Sequence, residues 1–488
     1  YAQKEVHAIN SEHQKNVQNP TFRVFETMNS LADPASPLGR FHTGDLGTLY
    51  TAPMANGTSP VDALRVYFKG HYCPAHMRLV TVSSSPLAEQ LAQAAASFGN
   101  ISRGSEECQR PVHSFAEPTP WPAERMGKWL TMEGSQPQAQ MWLQFPLPDL
   151  TADWSSQPLD YIEHMLDYGG VGSLKRVLQD RLGLVESLET TYAMTSAGTN
   201  FYIVVALSGL GVKHTRIVLD VIFLYLTTLR QDGVNVDLYD SIRDLVQLKW
   251  DWAEPDELMD TASGLAERMT RLPAEKLLSG DALIEKPDPE QVADLLERLR
   301  PGNMNVGYVD PNATASGRLN ASAARELPHY GVKYAVQNIS ERFPGAPTEW
   351  SYWLQTGSAD AARASLLSRM QAAGLVSPGE VSVEASESPF PVPPGPIEGV
   401  PKEISEEHMH AEVDELRLEA SLGARRFPPL FGPRPQKLEA GLETGMAQAS
   451  VWFRSGWVTS SPKVSIRCSL RPLRAKGEPE VSALDAMR

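Results

Sequence analysis

At 488 residues, with 42% hydrophobic and 21% charged residues, the chain is too long for one compact core, and two or three domains are expected. A formal net charge of -15 argues against a nucleic-acid binder and against docking on anionic lipid, since both need a basic surface. An acidic surface is compatible with cationic or neutral peptide ligands. Cys73, Cys108 and Cys468 are too few and too widely spaced for a disulfide framework or a zinc knuckle, so a reducing compartment is the expectation. Asn-x-Ser/Thr triplets occur at Asn56, Asn100, Asn312, Asn320 and Asn338 and, without a signal peptide in view, read as chance matches.

The chain opens at Tyr1 in helix-forming sequence, and both ends read as cut. Residues 4–32 are expected to be helical, divided or kinked at Pro20, with Phe22, Phe25, Met28 and Leu31 at helical spacing. Pro34 and Pro37 end this region, and a loop carries Phe41-His42-Thr43-Gly44-Asp45. Helices are expected over 61–72 and 86–98, with a short strand over 78–83 between them. The proline-rich stretch 111–122 reads as a linker. Beyond it, strands are expected over 139–145, 201–207 and 304–309. Helices are expected over 159–166, 174–182, 215–230, 236–252, 254–271 and 289–299. The most apolar stretch, 216–229, contains Asp220 and about ten apolar residues. That is short of the roughly 20 a bilayer span needs, so it reads as a buried helix. From about Leu366 to Lys437 the composition changes, and 388–396 alternates proline with other residues as a polyproline-type linker would. A charged helix over 403–418 lies inside this region, and strands are expected over 447–457 and 464–470. This mixture of helices and strands is the signature of an α+β fold.

The segment Glu5-Val6-His7-Ala8-Ile9-Asn10-Ser11-Glu12-His13-Gln14-Lys15-Asn16 resembles the part of the pitrilysin and insulin-degrading-enzyme family of zinc metallopeptidases that supplies a third zinc ligand. Further blocks agree in order. Phe41 to Asp45 with Thr48-Leu49 is similar to the family's Phe-x-Thr-Gly-Asn-x-x-Thr-Leu loop, and Tyr67 to Tyr72 loosely to its Phe-His-x-x-Tyr-Tyr helix end. Phe145 to Asp149, Gly169 to Leu174 and Leu299 to Met304 resemble a strand end, a Gly-rich turn and a strand entry of the second domain. The resemblance runs from about 4 to 345 and resumes weakly over 441–488.

The resemblance implies tandem αβ sandwich domains of the pitrilysin or mitochondrial-processing-peptidase type. On that reading, residues 1–112 are the C-terminal part of a first peptidase domain and 113–360 a second, peptidase-like domain. Residues 361–438 are then a Pro-rich linker and 439–488 the start of a third, middle domain. It also implies a role for Glu12. Catalytic zinc takes three protein ligands and a water, and a carboxylate is an accepted third donor beside the two histidines of a His-x-x-Glu-His motif. Glu12 is implied as that donor to Zn2+, and Glu5, two helical turns earlier on the same face, as a carboxylate orienting a ligand histidine. His7 and His13 project away from that face and read as non-ligands. No His-x-x-Glu-His occurs in the chain. The cluster His408-Met409-His410-Ala411-Glu412 has the wrong spacing and reads as chance. The Gly169 to Leu174 turn lacks the ending of a phosphate loop, and the strand edge near 188–191 is implied as an anchor for a peptide's N-terminus, although the family's acidic turn residue is not matched here.

The expected function is therefore a zinc metalloendopeptidase that degrades peptides in a closed chamber, with this chain inactive on its own. A non-catalytic paralogue that binds a peptide or partner is the alternative, and an unrelated α+β interaction protein a third possibility. Peptides are the expected partners, with no nucleic acid and no membrane span; a homo-oligomer is left open. The expected location is cytoplasmic or organellar (mitochondrial).

Overall fold

The computed structural model describes residues 2–101, 119–251, 253, 257–320, 322–355, 357–377 and 388–395, together with the backbones of strands at 436–440, 447–456 and 463–472. The expected linker at 111–122 lies mostly outside these residues. The 403–418 helix and the His408–Glu412 cluster lie wholly outside them.

Two units are defined, one of residues 1–236, 258–280 and 286–395 and one of the rest. The first begins with α1 (Ala2–Val17) and α2 (Pro20–Asn29), separated where Pro20 takes the first helical position behind an Asn19 cap. The short α3 (Ala52–Ala55), α4 (Pro60–His71) and α5 (Leu87–Phe98) follow. Leu64, Val66, Tyr67 and Phe68 on α4 and Leu87 and Leu91 on α5 are exposed. The strand expected over 78–83 does not form. A strand needs a neighbour to pair its backbone, and among the described residues none lies alongside. Cys73, one of three cysteines whose spacing suggested no disulfide framework, is fully buried and disulfide-bonded.

A seven-stranded sheet organises the rest of this unit, with β1 (Lys128–Glu133), β2 (Gln140–Leu147), β3 (Val185–Thr195), β4 (Gly198–Leu207), β5 (Asn305–Asp310), β6 (Arg325–Leu327) and β7 (Val332–Asn338) in the order β3-β4-β2-β5-β1-β7-β6. Only β1 and β5 pair in parallel. Every residue of β5 is buried, as a central strand covered on both faces requires. Gly307 in its middle lets α2 approach: a Cβ there would come within 2.8 Å of the Met28 sulfur. Val24 and Met28 of α2 thereby join Leu130, Met132, Trp142 and Tyr202 in one core cluster.

Helices α6 (Pro158–Asp167), the one-turn α7 (Leu174–Arg176) and α8 (Thr215–Asp232) come next in this unit. Helix α8 is buried from Ile217 to Leu229. Among the described residues no helix is long and apolar enough to cross a membrane. Its one buried charge, Asp220, is fully paired. Oδ1 accepts from Arg216 Nε and Trp350 Nε1, and Oδ2 from Arg369 Nε, each at 2.7 Å.

Helix α9 (Val236–Asp251) lies almost entirely in the second unit, and α10 (Leu258–Arg268), α11 (Pro289–Arg298), α12 (Ile339–Arg342), α13 (Ala346–Trp353) and α14 (Ala359–Ala372) complete the first. Residues 361–372, expected as the start of the linker, belong instead to α14. Ala362, Leu366 and Met370 are fully buried and Arg369 reaches Asp220. Burial on one face outweighs the mixed composition of this segment. The second unit also holds a three-stranded antiparallel sheet of β8 (Gln436–Ala440), β9 (Ala447–Gly456) and β10 (Lys463–Pro472), ordered β10-β9-β8.

Candidate functional site

Helix α1 carries the residues the sequence singled out, and its roll decides what they can do. Val6 and His13, seven residues apart, are its buried positions. Glu5 and Glu12 precede each by one residue, an offset of about 100°, and both are exposed. The inward pair thus fixes the orientation of the outward pair.

His13 is the fastener. Its Nε2 lies 3.0 Å from the His329 carbonyl, which can only accept, so Nε2 carries the proton and donates. In the neutral ring Nδ1 then accepts from the Thr43 hydroxyl at 3.1 Å. Phe41 and Tyr330 meet the imidazole edge-on, with centroids 5.0 and 5.1 Å away. Phe41 also stacks on the His329 ring at 4.1 Å.

The loop that delivers Phe41 and Thr43 is pinned at several points. Gly44 has φ +79°, and a Cβ there would come 2.9 Å from the Leu49 side chain, so the turn requires glycine. Asp45 then begins the next turn by accepting from the Thr48 amide at 2.7 Å. Asn10 of α1 accepts from the Leu46 amide at 3.0 Å. Across the seam, His329 Nδ1 lies 2.6 Å from Asp45 Oδ2. His329 has φ +67°, a left-handed conformation that a non-glycine residue holds only when its surroundings enforce it. Burial works against ionising Asp45, but hydrogen bonds from Thr48 and His329 hold its carboxyl below the usual range. Beside it, the hydrogen bond to Glu26 at 3.0 Å raises the His42 imidazole above its ordinary value.

Glu5 and Glu12 make no hydrogen bond or ion pair among the described residues, where no group of three or more His, Cys, Asp or Glu side chains could hold a metal ion. One exposed carboxylate cannot supply the three protein ligands of a catalytic zinc. The described residues therefore do not fit that metal by themselves.

A second feature lies at the sheet's edge. Strand β3 is terminal in the order, so one side of its backbone faces away from β4. At Thr190 that side is closed by Asp167, the last residue of α6, which accepts from the Thr190 amide at 3.1 Å and from its hydroxyl at 2.5 Å. Glu163, one turn earlier on α6, lies 3.4 Å from the same hydroxyl. Burial, then the nearby charges of Asp160 and Asp167, push Glu163 up to about 7; burial likewise raises Asp167. A groove of about 590 Å³, lined by Asp33, Arg125, Lys128, Arg325 and Glu341 among others, mixes both signs of charge, and several of its groups are engaged. Arg125 donates to the Leu31 carbonyl and Lys128 to Asn338.

Sequence reasoning read His13 only as a non-ligand and Asp45 only as part of a matched loop, and it passed over His329, Asp167 and Glu163. Thr43 and Asp45 sat inside a matched block and were within reach. His329 gave no local signal, being 284 residues from the carboxylate it pairs with.

Comparison with known proteins agrees with this architecture. Residues 60–246 match the family model described as the peptidase M16 inactive domain, and 250–350 the middle or third domain of peptidase M16. The two matches meet in one sheet, since β1 to β4 lie in the first and β5 to β7 in the second. The A-factor-processing enzyme of Saccharomyces cerevisiae is 26% identical over 68% of this chain and 31% of its own length. The insulin-degrading enzyme of Drosophila melanogaster is 25% identical over 70% and 33%. A Schizosaccharomyces pombe relative named as a zinc protease is 23% identical over 70% and 34%. The crystal structure of pitrilysin superposes with a TM-score of 0.63 at 21% identity, over 72% of this chain and 36% of that one. The chain belongs to the M16 peptidase family, homologous to insulin-degrading enzyme, A-factor-processing enzyme and pitrilysin. It spans about a third of the length of the curated relatives it matches.

Proposed function

We propose that this chain is a portion of a zinc metalloendopeptidase that degrades peptides in a closed chamber, and that it is inactive on its own because it carries no His-x-x-Glu-His motif. The observation that carries the proposal is the roll of α1. Val6 and the doubly bonded His13 tie one face to the molecule, which leaves Glu12 and Glu5 exposed on the neighbouring face. In this reading Glu12 gives one donor to a Zn2+ whose other ligands come from outside this chain, and Glu5 orients one of them. The expected location stays as the sequence suggested for this reading, cytoplasmic or organellar.

Peptides are the proposed substrates, and the outer edge of β3 near 188–191 is the proposed docking strand, where an extended peptide would pair its backbone. Asp167 must swing away for pairing to include the Thr190 amide. The alternative reading, a non-catalytic paralogue that binds peptide without cutting it, is favoured by one observation. Residues 60–246 match a domain whose description is itself inactive.

Hydrolysis of a quenched fluorescent peptide separates the two. The peptidase reading expects turnover by the full-length protein, a loss of at least 10-fold in its Glu12→Gln variant, and none by this chain alone. A folded full-length protein that binds the peptide without cleaving it selects the alternative.

A further inference from the structure

We infer that the outer edge of β7 at Val336 binds the C-terminal end of an extended peptide, whose terminal carboxylate is held by Arg325. The site lies at the opposite end of the sheet from β3, where β7 reaches past its outer partner. Strand β6 covers only Val332, Lys333 and Tyr334 of β7, whereas β1 pairs with it from Tyr334 to Asn338. On the β6 side, residues 335–338 therefore have no strand beside them among the described residues. That empty lane is about four residues, or roughly 13 Å, long.

Antiparallel neighbours exchange backbone bonds through alternate residues. The Ile339 amide donates to the Gly127 carbonyl at 2.8 Å, so Gln337 and Ala335 face β1, while Val336 and Asn338 face outward. The Asn338 amide is closed by the Glu341 carboxylate at 3.2 Å. Val336 has no such cover. Its amide and carbonyl make no hydrogen bond to any described residue on the outer side. One residue of an added strand satisfies both groups at once.

The groove of about 590 Å³ lies along this lane, lined by Val336, Gln337 and Asn338 on one side. Val336 and Leu31, both lining it, are partly buried against the core cluster and give it an apolar floor. Its cations keep donors to spare. Arg325 is exposed and makes no hydrogen bond or ion pair among the described residues. Lys128 spends one donor on Asn338 and Arg125 one on the Leu31 carbonyl. The acidic groups serve elsewhere or face solvent. Asp33 Oδ1 accepts from the Ala35 amide at 2.8 Å, both Glu341 oxygens accept from Asn338, and Glu124 is exposed. None of these three is ion-paired to a groove cation among the described residues, so an incoming carboxylate meets unspent cationic donors.

The register supplies the direction. Strand β6 begins at Arg325, opposite Tyr334, and runs antiparallel to β7. A peptide of the same sense in the empty lane ends where β6 begins. Its last carboxylate then lies at the Arg325 end of the groove, where a guanidinium can hold both oxygens.

The test follows hydrogen exchange, residue by residue, on the whole chain. The probe is a pool of tetrapeptides of alternating valine and threonine, supplied with free C-terminal carboxylates or as C-terminal amides. The free-acid pool should slow exchange at the Val336 amide and leave Gln337, whose amide already faces β1, unchanged. Amidation of the pool and Arg325→Ala in the chain should each weaken binding about 10-fold, the worth of a charge-assisted hydrogen bond. Arg325→Ala should cost the amidated pool nothing further, and because Arg325 is exposed the variant keeps its fold. No slowing at Val336, equal binding of the acid and amide pools, or full binding by Arg325→Ala overturns the inference. Slowing confined to Thr190 also overturns it, while leaving peptide docking at the β3 edge intact.

Discussion

His13 and Glu12 are neighbours in sequence with opposite duties, and substitution should separate them. His13→Ala leaves the half-buried Thr43 hydroxyl and the His329 carbonyl without their partner and removes a ring that is itself fully buried. An unmade buried hydrogen bond costs about 1–3 kcal/mol, so a loss of roughly 2–4 kcal/mol is expected in urea denaturation of the chain. Glu12→Gln changes an exposed side chain and should move the same midpoint by less than about 0.5 kcal/mol. Asp220 is a third case. Asp220→Ala takes the buried carboxylate from Arg216, Arg369 and Trp350 Nε1, but both arginines keep Glu349, so the loss should stay below the roughly 3–5 kcal/mol of a fully broken buried pair. A melting temperature unchanged from the parent would show that the network carries no weight. The sequence revealed Asp220 only as a polar interruption of an apolar run. Its partners sit at 350 and 369, and no local pattern announces contacts so distant.

Among the elements, the edge of β3 invites the most direct experiment. Asp167 protects the Thr190 amide, so Asp167→Ala should speed hydrogen exchange at Thr190 while Ile203, its cross-strand neighbour on β4, keeps its rate. Equal rates in parent and variant would mean that the carboxylate does not close the edge. The elements most legible in the sequence had a strong local signature. The break at Pro20, the β-branched run of β4 and the long apolar helix α8 all follow from side-chain pattern and backbone chemistry. Strand β1 escaped notice because Lys-Trp-Leu-Thr-Met-Glu is short and does not alternate. It is defined by pairing with β5 and β7, more than 170 residues away. The supposed strand at 78–83 is the converse, a suitable composition without a neighbour. Helix α14 was hidden by reading its mixed composition together with the proline-rich segment that follows.

Over the whole molecule, charge and pH connect these parts. Glu163 is pushed up to about 7 in the folded chain from an ordinary value of 4.5. Between those values the fold holds a proton that the unfolded chain has released, so stability falls as pH rises through this window. Glu163→Gln should remove that decline, raising stability at pH 8 by roughly 1–3 kcal/mol while leaving pH 4 nearly unchanged. The His42 pair acts in the same sense: its raised imidazole contributes fully below about 6.5 and fades as pH rises through the folded value. Asp45 acts oppositely, contributing above about 3.8 and losing its share as pH falls through its depressed value. Parallel pH profiles for parent and Glu163→Gln chains would contradict this assignment.

The central claim is that the exposed carboxylate at position 12 ligates a metal in the complete protein. Zinc content measured by elemental mass spectrometry on dialysed full-length protein tests it most directly, with circular dichroism to verify that the variant is folded. The account predicts about one zinc per full-length chain in the parent and a loss of at least 10-fold in retained zinc for Glu12→Gln at equal helicity. A folded Glu12→Gln protein that keeps its full complement of zinc would contradict it.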